Sequence, residues 1–157
     1  MSEKKKKIAI IASKANLADA YPPFILASTA AAMDYEVSIF FTFFGLNLLK
    51  KKGLKKVKIT PVGETAMPKP IPQIVGIIPG MTDIATTMMK NWMKKANVVS
   101  LEELRELSIE AGVKMIACQM TMDVMKVKKE ELIDEIEVGG AATFLQFASE
   151  ADITLYI

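Results

Sequence analysis

The 157-residue chain contains no histidine, a single cysteine, Cys118, and a single arginine, Arg105. The absence of histidine excludes Ser-His-Asp and Cys-His nucleophilic catalysis and zinc sites with histidine ligands. A single cysteine excludes intrachain disulfides and iron–sulfur clusters ligated by this chain alone. The other nineteen basic residues are lysines, so the chain lacks the forked arginines that read phosphates and base edges. We therefore expect no nucleic-acid partner.

Long hydrophobic runs are also missing. The start, MSEKKKKIAIIAS, has only five apolar residues after its basic run, too few for the core of a signal peptide. The longest apolar stretch, residues 39–49, is about half of what a membrane-spanning helix needs. We expect a cytoplasmic protein without a transmembrane segment.

The length and the hydrophobic content of the chain are those of one apolar domain. A chain of this length is typical of a single domain, spanning residues 1–157. Its hydrophobic fraction of 51% and mean hydropathy of +0.26 are high for a soluble monomer. Two apolar rows on one predicted helix add to this surplus, which predicts a homo-oligomer. The rows are Ile84/Met88/Trp92 and Ala85/Met89/Met93.

Short apolar runs alternate with helical patterns along the chain. The runs at 8–12, 36–43, 113–118, 135–138 and 153–157 predict buried strands, and 56–60 predicts a minor edge strand. Helices are predicted at 23–34, after Gly45, at 82–96 with Thr82 as N-cap, at 100–112 after a capping box, at 121–125 with Thr121 as N-cap, around 128–134, and after Gly139-Gly140. This alternation predicts a parallel α/β sheet.

Five of the seven prolines fall between residues 61 and 79. A long irregular segment inside a compact domain is usually functional or an interface. We interpret residues 61–96 as a Pro/Met-rich insertion that forms a wall or lid over the Cys118 site, contributed by the same subunit or by a neighbouring one. Simple packing of the amphipathic helix on the same subunit is the alternative.

Cys118 is the strongest candidate for chemistry. It ends a predicted buried strand directly before a predicted helix, and ligands of parallel sheets bind beyond the carboxyl ends of the strands. The positive end of that helix favours the reactive thiolate. The alternative is that Cys118 is a small buried hydrophobe.

Two other features near Cys118 carry weaker signals. Four methionines, at 115, 120, 122 and 125, suggest a thiolate–thioether site for Cu(I), but methionine more often fills cores. Gly139-Gly140 before a helix is typical of an anion-binding turn, although close helix–sheet packing also explains it. The pair lacks the spacing of a dinucleotide-binding motif.

Four segments together resemble the DsrE/DsrF-like sulfur-relay family, and the resemblance runs over nearly the whole chain. The segments are IAIIASKANLADAYPPFILASTAAAM, EVSIFFTFFGLNLLKKK, GVKMIACQMTMDVM and EVGGAATFLQFASEADITLYI. The resemblance is to the larger branch with a CQMTMD segment. It implies a three-layer α/β/α sandwich with a five-stranded, mainly parallel sheet and the first strand central.

The resemblance also implies a function. In sulfur-carrying members the cysteine that ends the third core strand accepts sulfane sulfur as a persulfide, and that position is Cys118 here. We therefore expect a sulfur carrier or sulfurtransferase that accepts sulfane sulfur or a thiosulfonate group and passes it to a partner protein, with no resident cofactor and no metal. The expected ligand-binding residues are Ser13, Gln119, Met120, Thr121, Gly139 and Gly140. The alternative is a non-catalytic module or assembly subunit that binds a flavin, nucleotide or anion in the same crevice.

Overall fold

A computed structural model describes residues 4–60 and 78–157. The strands are β1 (Lys7–Ala12), β2 (Glu36–Phe41), β3 (Lys114–Cys118), β4 (Glu137–Gly139) and β5 (Ile153–Tyr156). The α-helices are α1 (Leu17–Ala32), α2 (Met81–Lys95), α3 (Leu101–Glu110), α4 (Gln119–Met125) and α5 (Ala141–Ala148). Short 3-10 segments at Phe43–Leu49, Leu54–Lys56 and Lys129–Glu131 join them.

The five strands form one parallel sheet in the order β4-β3-β2-β1-β5. The expected α/β class and five-stranded sheet are therefore confirmed. The expectation that the first strand is central is wrong, because β2 occupies the middle position and β1 lies between β2 and β5. The carboxyl ends of all five strands meet at one edge of the sheet, since the strands are parallel.

The sheet separates two apolar clusters, because alternate side chains of a strand point to opposite faces. The larger cluster joins one face to α1 and α3, through Phe24, Leu104 and their neighbours. The smaller cluster joins the other face to α5, where Phe144 stacks on Phe40 with ring centroids 5.2 Å apart. These layers make the three-layer sandwich.

The first helix begins earlier than the prolines suggested. It starts at Leu17, because the Asn16 side chain accepts hydrogen bonds from the N–H groups of Ala18 and Asp19, both at 3.1 Å. Pro22 and Pro23 therefore lie inside the helix, where each removes a backbone donor. The cap and the burial of the second turn offset that loss.

Two other local predictions are wrong. Residues 57–60 form no strand; the Lys58 carbonyl instead accepts from the N–H of Leu17 at 2.8 Å, which ties the segment to the start of α1. Helix α2 begins after Gly80, whose left-handed backbone (φ 88°) ends the preceding turn, so Thr82 is not its cap. The capping box of Ser100 and Glu103 at the start of α3 is confirmed.

The described part of the predicted insertion lies on the α1/α3 side of the molecule. The Thr86 hydroxyl accepts from the Ile59 N–H at 3.2 Å, and the Lys90 ammonium donates to the Lys55 carbonyl at 2.7 Å. A cleft of about 790 Å³ separates the end of α2 from the first turns of α1 and α3. Residues 61–77 lie outside the described residues. That this part of the insertion forms a lid therefore remains a prediction.

The single arginine has a structural role. Arg105 is buried in α3 and donates to the backbone carbonyls of Leu48 and Lys50 at 3.1 and 2.8 Å. It therefore fixes the 3-10 segment that follows β2 against the helical layer. Among the residues that the structure describes, no helix is long and apolar enough to cross a membrane.

Candidate functional site

Cys118 lies at the point predicted from the sequence, at the carboxyl end of a buried strand and the start of a helix. It is the last residue of β3 and occupies the N-cap position of α4. Thr121 is therefore the third residue of α4 rather than its cap, which corrects the predicted start of this helix.

The thiol is less accessible than predicted. Cys118 is 3% exposed and belongs to the smaller apolar cluster, together with Ala9, Phe40, Ile116 and Phe144. The helix α5 covers this face of the sheet, which the sequence pattern alone did not show. A reagent therefore reaches the sulfur of the isolated chain only after local opening.

Polar groups line the other side of the sulfur. Thr42 directly follows β2, and the register of Phe41 with Ala117 places it beside Cys118 at the edge of the sheet. The Thr42 and Thr121 hydroxyl oxygens are 3.2 Å apart, and Thr121 also accepts a hydrogen bond from a backbone N–H. Both threonines are among the causes that lower the pKa of the Cys118 thiol.

The residue that donates this N–H has an unusual backbone conformation. Phe43 has a φ of 46°, in the left-handed region that residues other than glycine, asparagine and aspartate rarely adopt. Its N–H lies 3.0 Å from the Thr121 hydroxyl oxygen. Such a conformation costs of the order of 1–2 kcal/mol. The cost is offset by the contacts that hold the loop after β2 in place.

The pKa of the Cys118 thiol is lowered from its usual value of 9.0 by a balance of opposing causes. Burial is the largest single cause and raises the pKa, because it removes water from the thiolate. The hydroxyls of Thr121 and Thr42 and the N–H groups of Thr121 and Met120 together outweigh it. The Cys118 side chain makes no capping hydrogen bond to the first turn of α4.

The two glycines lie on the opposite side of Cys118. Gly139 is its register partner in β4, and Gly140 is the N-cap residue of α5. A Cβ on Gly139 would press on the Thr143 side chain at 3.0 Å, whereas a Cβ on Gly140 would meet open space. The predicted role of Gly139 in close packing is therefore supported.

The remaining predicted ligand-binding residues do not turn their side chains to Cys118. The Ser13 hydroxyl donates to the Ile157 carbonyl at 3.1 Å, and Ser13 follows β1, which β2 separates from β3. The Gln119 amide donates to Asp123 at 2.9 Å on the exposed side of α4. Met120 is 61% exposed and contributes its N–H rather than its thioether.

The methionines near Cys118 in sequence are not a cluster around its sulfur. Met115 and Met122 are buried in the larger cluster on the other face of the sheet, and Met125 packs against that cluster. These three residues therefore form no thiolate–thioether site with Cys118. In residues 4–60 and 78–157, no group of three or more Cys, Asp and Glu side chains could hold a metal ion.

Large apolar side chains surround the site at the molecular surface. Phe43 and Phe44 follow β2, and Met120 and Val124 are one helical turn apart on α4; all four are exposed. Exposed apolar groups of this size in one region are typical of an interface.

Thr42 is the site residue that the sequence analysis did not identify. The predicted second strand ran to residue 43, so Thr42 counted as an ordinary strand position. A strand that ends at Phe41 places Thr42 at the same edge as Cys118. Polar residues directly after buried strands are the signal that finds it.

Comparisons with known proteins identify the family of the chain. The sequence profile of the DsrE/DsrF/DrsH-like family matches residues 4–156. The chain is 56% identical to "Sulfur carrier protein DsrE2" of Allochromatium vinosum, over 97% of this chain and 98% of that protein. It is 36% identical to "Uncharacterized protein YrkE" of Bacillus subtilis over the full length of both.

A solved structure shares the fold. The crystal structure of the ychN protein from E. coli superposes with a TM-score of 0.57 at 14% identity, over 97% of this chain and 99% of that one. At this identity the likeness concerns the fold alone. The matched profile and the two relatives cover essentially the whole chain, and the chain therefore belongs to the DsrE/DsrF/DrsH-like family.

Proposed function

We propose that this protein is a sulfur carrier that holds sulfane sulfur on Cys118. The observation that carries the proposal is the position of the only cysteine at the carboxyl edge of the sheet, with hydrogen-bond donors that lower the pKa of its thiol. The relative that is 56% identical over nearly all of both chains is named a sulfur carrier protein, which supports the same role here.

The transfer needs a thiolate and a leaving group and no general base. The Cys118 thiolate attacks the outer sulfur of a donor persulfide, R–S–SH. A new S–S bond forms on Cys118 while the donor S–S bond breaks, and its electron pair leaves with R–S⁻. The proton stays on the transferred sulfur, so atoms and charge balance without an oxidant. Tetrathionate reacts in the same way, leaves thiosulfate, and places an S–SO₃⁻ group on the cysteine.

The site suits an anionic cargo better than a neutral one. The N–H groups of Met120 and Thr121 and the two threonine hydroxyls lower the pKa of the Cys118 thiol, and no charged side chain is among the causes of that shift. The first turn of α5 begins at Gly140, beside the register partner of Cys118, and adds a partial positive charge. A persulfide or thiosulfonate anion would receive hydrogen bonds from these groups.

Access to the sulfur is part of the proposal. Because Cys118 is 3% exposed, a donor or acceptor must open the cluster that Phe144 closes. Helix α5 is short and follows two glycines, so it is the element that such an opening displaces. A partner protein that contacts the exposed apolar residues at this edge would favour the open form.

The proposal implies a reducing compartment and partner proteins. A carrier that works through a free thiolate needs thiols to stay reduced, which favours the cytoplasm. Its partners are a sulfur donor and a sulfur acceptor, either proteins or small sulfane-sulfur compounds.

Intact-mass spectrometry of the reduced native protein tests the proposal. After incubation with polysulfide, thiosulfate or tetrathionate, we expect the 17.3 kDa chain to gain one sulfur atom or one thiosulfonate group. The adduct should disappear when dithiothreitol is added, because a small thiol accepts the outer sulfur.

The denatured chain is the control for that experiment. Because native Cys118 is 3% exposed, the control compares retention of the loaded sulfur and not the rate of loading. The native protein should lose its sulfur to dithiothreitol more slowly than the denatured chain, in which nothing covers the persulfide. A native protein that gains nothing from any of the three donors, or that loses its sulfur as fast as the denatured chain, contradicts the proposal.

We also propose that the protein is a homo-oligomer whose interface includes the exposed apolar residues at the carboxyl edge of the sheet. Light scattering should give a multiple of 17.3 kDa, and Val124→Glu should lower it by placing a charge in the interface. Met33→Glu is the matched control, since Met33 is also exposed but follows α1 at the opposite edge. A mass of 17.3 kDa at every concentration contradicts this prediction.

A further inference from the structure

The edge strand β5 is open to pairing with a further strand. Within residues 4–60 and 78–157, it lies at the end of the strand order and pairs with β1 alone. Helix α5 packs mainly on β1, β2 and β4, so it leaves β5 uncovered. Ile153, Thr154 and Tyr156 are exposed, Tyr156 to 71%. Both faces and the outer side of this strand are therefore accessible in the described structure.

The strand β5 carries none of the features that usually keep an edge strand from pairing. Such strands are commonly protected by charged side chains or by proline. Residues 153–157 have the sequence ITLYI, which contains neither. The other edge strand, β4, is only three residues long and includes Glu137. Of the two edges of the sheet, β5 is therefore the one that favours the addition of a strand.

The backbone of β5 directs a short row of hydrogen-bonding groups outward. The Ile157 N–H donates to the Ile11 carbonyl at 2.8 Å, and the Ile157 carbonyl accepts from the Ser13 N–H at 2.9 Å. Both backbone groups of Ile157 therefore point towards β1. Successive residues of a strand direct these groups to opposite edges. Thr154 and Tyr156, at odd distances from Ile157, therefore direct their N–H and C=O groups away from β1.

The side chains of β5 are uncharged on both faces of the sheet. The register with β1 places Ile153 and Leu155 opposite members of the larger apolar cluster, and Ile157 packs against that cluster. On the α1/α3 face the strand is therefore aliphatic along its whole length. Thr154 and Tyr156 lie on the α5 face, because side chains alternate along a strand.

We propose that β5 is a dimer interface, at which a second copy of this chain adds its own β5 in antiparallel orientation about a two-fold axis through Leu155. In this register Thr154 pairs with the partner's Tyr156 and Tyr156 with the partner's Thr154, and each pair exchanges two backbone hydrogen bonds. Leu155 lies opposite its own copy, and Ile153 lies opposite the partner's Ile157. Each of these aliphatic contacts is of the kind that stabilises paired strands.

The occupant is a second copy because β5 is complementary to itself in this register. A two-fold axis brings the same patch of both subunits together, and here it joins aliphatic to aliphatic side chains on the α1/α3 face. An axis through Thr154 would instead place Tyr156 opposite Asp152, whose N–H already donates to the Lys7 carbonyl at 2.9 Å. The axis through Leu155 therefore uses all the outward backbone groups of β5.

This interface leaves the sulfur site of each subunit free. The strands β1 and β2 lie between β5 and β3, which ends at Cys118. Because the two copies of β5 are antiparallel, the carboxyl edges of the two sheets point in opposite directions. The dimer is also separate from the proposed interface that includes Val124, so each interface can be removed without the other.

Disulfide trapping tests the register. In a Cys118→Ser background, which has no native thiol, Leu155→Cys places the only thiol on the two-fold axis. The Cα atoms of such a non-hydrogen-bonded pair lie about 4.5 Å apart, within the range of a disulfide. We expect oxidised glutathione to produce a covalent dimer on a non-reducing gel. Thr154→Cys in the same background is the matched control, because its two copies are out of register by more than the roughly 7 Å that a disulfide spans.

Light scattering tests the interface without an added thiol and decides the question if Leu155→Cys does not fold. In a Val124→Glu background we expect a mass of twice 17.3 kDa. Adding Thr154→Pro removes an outward N–H and leaves the ladder with β1 intact, so the dissociation constant of the dimer should rise roughly tenfold or more. Thr154→Val keeps the N–H and should remain dimeric.

The outcomes separate this interface from the proposed function. A covalent dimer for Leu155→Cys but not for Thr154→Cys, with dissociation of the proline variant alone, supports the interface. Equal cross-linking of the two thiols, a proline variant as dimeric as the valine variant, or a monomeric Val124→Glu overturns it. Sulfur loading of Cys118 should be the same in the proline and valine variants. If the dimer forms but no sulfur loads, the carrier role fails and the interface stands; if sulfur loads on a monomer, the reverse holds.

Discussion

Replacing Cys118 with serine should abolish sulfur loading completely, because no other thiol exists in the chain. The substitution is small, and the hydroxyl can accept from the same donors that face the sulfur, so the fold should persist. We expect intact-mass spectra of Cys118→Ser to show no adduct after incubation with polysulfide, while its circular dichroism matches the wild type.

A second experiment tests whether sulfur loading and retention depend on the position of the thiol or only on its presence. A double variant, Cys118→Ser with Thr87→Cys, moves the only thiol to an exposed position on α2, on the α1/α3 side of the molecule. The relocated thiol should react faster with bulky alkylating reagents, since it is accessible. It should lose a bound sulfane sulfur to dithiothreitol faster than Cys118, since no donors hold the persulfide anion and nothing covers it.

Either of two results contradicts this assignment. A sulfur adduct on the single variant would place the cargo on another side chain. A relocated thiol that loads and retains sulfur like the wild type would show that the carboxyl edge of the sheet contributes nothing to the chemistry.

The strands and the position of Cys118 were predictable because buried parallel strands leave a simple signal. Short apolar runs bounded by polar residues, such as 8–12 and 115–118, are typical of strands in a sheet covered on both faces. Once the strands alternate with helices, the carboxyl edge is defined, and the residues that follow each strand are brought together. The register confirms this for Cys118 and Gly139.

The alternation of side chains along a strand also predicts which residues share a face of the sheet. Met115 and Cys118 are three residues apart on one strand, and an odd spacing places them on opposite faces. The period of two therefore already argued against a methionine cluster around the sulfur, and the structure separates them into different apolar clusters. Residues that are close in sequence can therefore lie on opposite faces of the sheet.

Three other features were not predicted, each for a different physical reason. The burial of Cys118 follows from the crossover from β4 to β5, which carries α5 over that face. The start of α1 at Leu17 depended on the Asn16 cap, a signal present in the sequence but outweighed by the two prolines. The role of Thr42 depended on where β2 ends, and strand ends are the least certain feature of a sequence-based prediction.

Gly45 is the residue whose substitution should damage the described structure most outside the thiol itself. Its N–H donates to the carbonyls of Ser13 and Thr42, at 3.1 and 2.9 Å, and so joins the end of β1 to the loop after β2. A Cβ at this position would collide with the Ala12 carbonyl oxygen and lie 2.7 Å from its carbon. Both obstacles are backbone atoms, which cannot move aside as a flexible side chain can.

We therefore expect Gly45→Ala to lower the free energy of unfolding by about 3 kcal/mol or more, measured by urea denaturation. Because the Ala12 carbonyl also accepts the Thr42 N–H at 3.1 Å, the displacement should move Thr42 and raise the titration midpoint of Cys118. Gly140→Ala is the matched control: an added Cβ there meets open space, so the loss should stay below about 1 kcal/mol. Equal stabilities of the two variants would contradict the close approach of Gly45 to β1, and an unchanged midpoint in Gly45→Ala would uncouple that approach from the site.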